Sequence, residues 1–166
     1  MVFVRNSMTI CRFYSSRIIP FLTGISLICL GGHSASASET CVAFRPMNSA
    51  TYEVRKTVSS SGVTPGFRNN WDTDFVVPGG TRFTRYIATI TSETPENYNI
   101  IINFRFPDNT ASQVFRRDGV RLVGGVPFQI IGDPPPAARQ PFQINTNVSG
   151  RQGATYRISV SGCSRE

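Results

Sequence analysis

The densest group of chemically capable side chains is Trp71-Asp72-Thr73-Asp74-Phe75, two carboxylates one residue apart beside the only tryptophan. A carboxylate pair can divide general acid and general base work, as in glycoside hydrolysis. It can also begin a calcium site, but such a site needs about six or more oxygens. Asp72 and Asp74 would have to be completed by Asn69, Asn70 or backbone carbonyls. The competing expectation, which the sequence favours, is that Trp71 packs at the rim of a core while the two acids close a turn ahead of a strand. Glu93, Glu96, Asp108, Asp118 and Asp133 are the other carboxylates considered. Each stands in or next to turn-forming sequence, where an acid serves backbone N–H groups.

Other catalytic devices are missing. The only histidine, His33, falls in a segment expected to be removed. The remaining chain then has no imidazole for a Ser-His-Asp or Cys-His arrangement and no histidine ligand for zinc. No phosphate-cradling glycine loop or dinucleotide fingerprint occurs, so no cofactor is expected. The expectation is a protein without bond-breaking chemistry.

A second set of residues could bind rather than react. Arg82, Arg85, Arg105, Arg116, Arg117 and Arg121 fall on or near strand-forming segments between Thr81 and Val123. Arginine pairs with carboxylate, sulfate or phosphate through a planar fork. If the strands paired in sequence order, several of these residues would share one outer face. That face could hold an acidic polysaccharide or another anionic envelope component. The plainer alternative is that arginine populates the wet side of an antiparallel sheet. Nucleic acid is not expected as a partner, because the basic excess shrinks in the mature chain. Removing Arg5, Arg12 and Arg17 from 17 basic residues, with all 10 acidic ones kept, lowers the net charge from +7 to +4.

The removable segment is read from three features in the order export machinery requires. Basic residues Arg12 and Arg17 precede an apolar run from Ile18 to Leu30, and Ser34-Ala35-Ser36-Ala37 supplies a small-residue cleavage site. The run is shorter than the roughly 20 residues that span a bilayer and contains Pro20 and Gly24. Residues 1–37 are therefore expected to be a signal peptide and 38–166 a single secreted or periplasmic domain, with no membrane span after cleavage. Cys29 follows Ile28 rather than a small residue, which argues against lipid attachment. Cleavage removes Cys11 and Cys29 and leaves Cys41 with Cys163, an even pair that an oxidising compartment would join. Closing so long a loop is worth about 4–5 kcal/mol in the loop-closure model. It also requires the first and last strands to be neighbours or to face each other.

These residues must be held by strands, because apolar positions recur with period two. In Tyr98 to Phe106, Tyr98, Ile100, Ile102, Phe104 and Phe106 share one face, while Asn97, Asn99, Asn103 and Arg105 share the other. Ile101 is the lone apolar residue on the polar side. Further strands are expected over Cys41 to Arg45, Thr51 to Val58, Phe75 to Val77, Arg82 to Thr91, Gln113 to Arg117, Val120 to Val123, Phe128 to Ile131, Phe142 to Val148 and Thr155 to Ser161. Asp118-Gly119 between two of them reads as a type I′ hairpin. Pro78-Gly79-Gly80, Gly124-Gly125 and Gly150 to Gly153 supply further reversals. Ser59 to Asn70 and Gly132 to Pro141 read as longer loops. The expected fold is all-β, an antiparallel two-sheet sandwich of jelly-roll or immunoglobulin-like form.

Asp72-Thr73-Asp74-Phe75-Val76-Val77-Pro78-Gly79-Gly80-Thr81 resembles the opening of bacterial pre-peptidase C-terminal domains. Gly153-Ala154-Thr155-Tyr156-Arg157-Ile158-Ser159-Val160 is similar to that family's last strand. The resemblance runs roughly from Asp72 to Val160 and implies a jelly-roll-like sandwich with an accessory role. That family normally sits beside a peptidase or other enzyme, whereas residues 1–37 are expected to be only a signal peptide. Three functions are therefore carried forward: a non-catalytic binding or accessory module at the cell envelope, a structural or adhesion-type surface protein, and a carboxylate-dependent glycoside hydrolase. The first is favoured, with the arginine-bearing face or the Trp71 corner as its site.

Overall fold

The computed structural model describes residues 38–60, 69–134 and 139–165. The expected signal peptide, with Cys11, Cys29 and His33, lies outside the described residues. So do 61–68 and 135–138 of the two long loops. Ten strands make up the framework: β1 (Glu39–Ala43), β2 (Arg45–Pro46), β3 (Glu53–Thr57), β4 (Asp72–Val76), β5 (Arg85–Ser92), β6 (Glu96–Arg105), β7 (Ala111–Leu122), β8 (Pro127–Gly132), β9 (Gln143–Gly150) and β10 (Thr155–Arg165). No helix among the described residues is long and apolar enough to cross a membrane.

The strands pair in a nested order, all antiparallel: β3 with β10, β4 with β9, β5 with β8 and β6 with β7. A long two-stranded ribbon rolled up in this way gives two stacked sheets, the jelly roll. One sheet, here sheet A, runs β10-β5-β8, with β1 and β3 end to end along the free edge of β10. Sheet B runs β2-β4-β9-β6-β7. The fold class read from the sequence is observed, and the nested pairing makes it a jelly roll.

Alternation drives the packing. Tyr98, Ile100, Ile102 and Phe104 of β6 face Tyr86, Ala88 and Ile90 of β5 and Tyr156, Ile158 and Val160 of β10 across one buried core. Each such large apolar side chain contributes about 1.5–3 kcal/mol by leaving water. An aromatic group of Phe44, Phe83, Tyr86 and Phe104 fills one end, with centroids 5.1 Å apart for Phe44–Phe83 and 4.8 Å for Tyr86–Phe104. Phe44 plugs the point where the chain leaves β1 for β2 and so changes sheets. Gly162 of β10 lies under it, and a Cβ there would come within 2.5 Å of Phe44 and 2.7 Å of Phe83. The buried Tyr98 hydroxyl is satisfied by Ser92 Oγ at 2.8 Å.

Cys41 and Cys163 stand directly opposite each other on β1 and β10, with Cα atoms 4.0 Å apart, and are disulfide-bonded. The first and last strands are neighbours, as that bond demanded.

Three expectations are corrected. Asp118-Gly119 is not a hairpin turn: β7 continues through it, and the segments expected as two strands, Gln113 to Arg117 and Val120 to Val123, both pair with β6. The register shift there sets Asp118 and Gly119 against the single residue Asn99. Gly119 takes φ +66°, and its N–H donates to Asn99 Oδ1 at 2.9 Å, forming a β-bulge. Asp72 and Asp74 lie within β4 rather than closing a turn before it. Consecutive strands do not all share a sheet, since β5 belongs to sheet A and β6 and β7 to sheet B.

Candidate ligand-binding face

The outer face of sheet B is built from the residues that alternate with its core positions. On β4 these are Asp72, Asp74 and Val76; on β9, Gln143, Asn145, Asn147 and Ser149; on β6, Asn97, Asn99, Ile101, Asn103 and Arg105. Register aligns them in rows across the sheet. Asp72, Asn147, Ile101 and Arg116 form one row, and Asp74, Asn145, Asn103 and Gln113 the next. Directly opposed side chains lie about 4.5–5.5 Å apart at Cβ, close enough to bond. Asn145 Nδ2 donates to Asp74 Oδ1 at 2.8 Å and to Asp72 Oδ1 at 3.3 Å. Asn147 Nδ2 donates to Asp72 Oδ1 at 3.1 Å, and Asn103 Nδ2 to Asn145 Oδ1 at 3.4 Å.

Asn and Asp are depleted in strands because they bring little packing and compete for local backbone bonds. Sheet B nevertheless carries seven at these alternating positions, Asp72, Asp74, Asn97, Asn99, Asn103, Asn145 and Asn147, with Asn145 buried beneath the bonds that it makes to its neighbours. The strands of sheet A carry none.

At one end of this face the strands open into a groove of about 370 Å³. Trp71 forms one wall; Asn99, Ser149, Gln152, Ser59 and Ser60 supply polar groups around it. Gly150 completes the lining, where a Cβ would meet the Asn97 carbonyl at 2.8 Å. Trp71 packs partly against the core, and its indole Nε1 donates to the Ser59 carbonyl at 3.2 Å. Val148 N donates to the Trp71 carbonyl at 3.0 Å, which fixes the wall to β9. Lys56, the one lysine, braces the same corner by donating from Nζ to the carbonyls of Asn70 and Asp72. Desolvation lowers its pKa, while the charges of Asp72 and Asp74 oppose that shift.

The six arginines are not brought together. Arg82 is exposed between β4 and β5, and Arg85 lies on sheet A, ion-paired with Glu39. Arg105, Arg116 and Arg121 do share the outer face of the β6–β7 half of sheet B, opposite Gln143, Ile101 and Asn97 respectively. Arg117 sits opposite inward-facing Ile100, near the Phe115 ring at 6.0 Å from its centroid. Among the described residues, Arg105, Arg116, Arg117 and Arg121 form no salt bridge, whereas Arg55, Arg85 and Arg157 of sheet A all do.

Three of the other carboxylates, Glu93, Glu96 and Asp108, are engaged elsewhere. Arg55 holds the Glu93 pKa down through a bidentate bond, with Nε 2.6 Å from Oε1. The Asn97 N–H, then Arg151, lowers that of Glu96, and bonds from Thr110, then Arg139, lower that of Asp108. A general acid requires the opposite shift. Asp72 and Asp74 share a face, as the calcium idea needs, but their Oδ1 atoms accept from asparagine amides. The signal that could have located the face from sequence was the run of Asn on the polar side of β6; Asn145 and Asn147 carried no comparable cue.

No protein-family model matches the chain, and no curated protein matches it by sequence. Among solved structures it is similar to "Carbohydrate binding module family29", with 9% identity, a TM-score of 0.44, and coverage of 76% of this chain and 90% of that one. It is similar to a chain of the infectious bursal disease virus Gx strain at 12% identity and a TM-score of 0.40, covering 77% of this chain and 32% of that one. The CBM22-1 xylan-binding domain from Paenibacillus barcinonensis Xyn10C gives 6% identity and a TM-score of 0.33, covering 74% and 85%. At such scores these likenesses say nothing about what this chain binds.

Proposed function

We propose that the protein is a secreted or periplasmic, non-catalytic binding module that takes an acidic polysaccharide on the outer face of sheet B. The observation that carries this reading is the confinement of seven Asn and Asp residues to one outer face, beside the only tryptophan. Amides and carboxylates offer paired donors and acceptors to sugar hydroxyls, and an indole wall offers the apolar face on which a pyranose ring rests. Arg105, Arg116 and Arg121, which form no salt bridge among the described residues, share that face and suit carboxylate or sulfate substituents. The accessory role implied by the resemblance to pre-peptidase C-terminal domains agrees with this. The disulfide supports an extracytoplasmic location, because such bonds persist in oxidising compartments.

The single tryptophan is its own reporter. Titration of mature protein with polygalacturonate, heparin and neutral glucans should shift Trp71 fluorescence, most strongly for the acidic polymers and less at high salt. Trp71→Ala should weaken binding, measured calorimetrically, by tenfold or more, about 1.4 kcal/mol. Equal weak binding of Trp71→Ala and wild type would overturn the site assignment. Turnover of a glycoside substrate lost in Asp72→Asn would overturn the non-catalytic reading. N-terminal sequencing of exported protein should begin near Ser38.

A further inference from the structure

A second groove, of about 280 Å³, opens at the opposite end of the strands that carry Trp71's groove. Arg105, Asn109, Thr110 and Phe142 line it, and Phe142 is 45% exposed, large for an aromatic residue flanking a core strand. Its position is fixed by backbone bonds rather than by burial: Phe142 N donates to the Arg105 carbonyl and its carbonyl accepts from Val77 N, each at 3.0 Å. Asn109 holds φ +63° in the β6–β7 turn, with its N–H bonded to the Phe106 carbonyl at 3.0 Å. The nearby acid, Asp108, is occupied by Arg139 and by Thr110. Arg105 is thus left without an anionic partner among the described residues.

We propose that this groove is a second subsite of the polymer whose first subsite is the Trp71 groove, an inference that rests on the function proposed above. The ligand is then a linear chain lying along β9 and β6, not a single sugar or a chain end. Ser149 borders the first groove and Gln143 pairs with Arg105 at the second. Six residue steps of strand separate them, about 20 Å at the usual rise. Between the grooves lie the amide rows, in which Asn145 and Gln143 are buried and the half-buried Asn103 and Asn147 are the amides that border the path. The end groups differ: Trp71 stands among uncharged Asn99, Ser149 and Gln152, whereas Phe142 stands beside the Arg105 guanidinium. The second subsite therefore takes a unit bearing a carboxylate or sulfate.

The test is a size series of galacturonate oligomers, titrated by Trp71 fluorescence into wild type, Phe142→Ala and Arg105→Ala, with melting temperature as a fold control. Wild-type affinity should climb with oligomer length and level off once the chain reaches both grooves, a gain of tenfold or more from the linked second contact. Phe142→Ala should bind the shortest oligomers as wild type does and lose the length-dependent gain, and Arg105→Ala should lose that gain as well. A response to short oligomers with no dependence on length, or with the gain intact in both variants, would overturn the second subsite while leaving the first standing. No response to any oligomer would overturn both.

Discussion

The two outer faces of this sandwich share one backbone design and differ in chemistry. Sheet A presents Thr57, Thr155, Thr91, Thr89, Ser159 and Ser161, with Ile87 against Ile131. β-Branched and small hydroxyl residues suit a pleated surface, and Arg55, Arg85 and Arg157 there are tied to Glu93 and Glu39. Sheet B presents amides, carboxylates and arginines in the same pleat. Sheet A's outside is thus what a stable sheet would choose, and sheet B's departs from it. Departures from local preference concentrate where function competes with stability.

The largest expected effect tests whether the two faces are separable. Cys41→Ala/Cys163→Ala removes a crosslink confined to sheet A and should cost about 2–5 kcal/mol in denaturant unfolding. Glycan affinity of the protein that remains folded should be unchanged; a parallel loss of binding would show that sheet A shapes the site. Gly162→Ala, again in sheet A, should cost about 1–3 kcal/mol by overpacking, because its Cβ meets two aromatic rings. Smaller and more pointed is a reciprocal swap. Asn103→Thr should raise stability by up to about 1 kcal/mol and weaken binding, while Thr89→Asn should lower stability by a similar amount and leave binding alone. If both swaps moved stability in the same direction, the contrast between the faces would collapse.

The smallest effect is a pH dependence. Glu93, Glu96 and Asp108 have folded pKa values below their ordinary ones, so their contribution is present above about pH 4.3, the unfolded glutamate value, and fades as pH falls through the folded values. Thermal melts from neutral pH downward should show that loss, reduced in Glu93→Gln. Unchanged acid sensitivity in that variant would mean that the Arg55–Glu93 pair on sheet A contributes nothing measurable.

Period-two alternation determined that this chain is all-β and which side of β6 is buried, because a strand sends successive side chains to opposite faces whatever it packs against. Two cysteines left by the expected cleavage marked the disulfide for the same kind of local reason. Tertiary structure decided the rest. Asp118-Gly119 has the residues of a hairpin turn, yet a bulge needs the same positive φ, and only the pairing of both flanks with β6 selects between them. Arg85 and Arg105 look equivalent in sequence and end on different sheets. Asp72, Asn147 and Ile101 belong to strands far apart in the chain, and they become one row through the nested order that pairs β4 with β9 and β9 with β6. Such pairings depend on how the whole ribbon rolls to bury its core, a property of all the strands together that no single segment encodes.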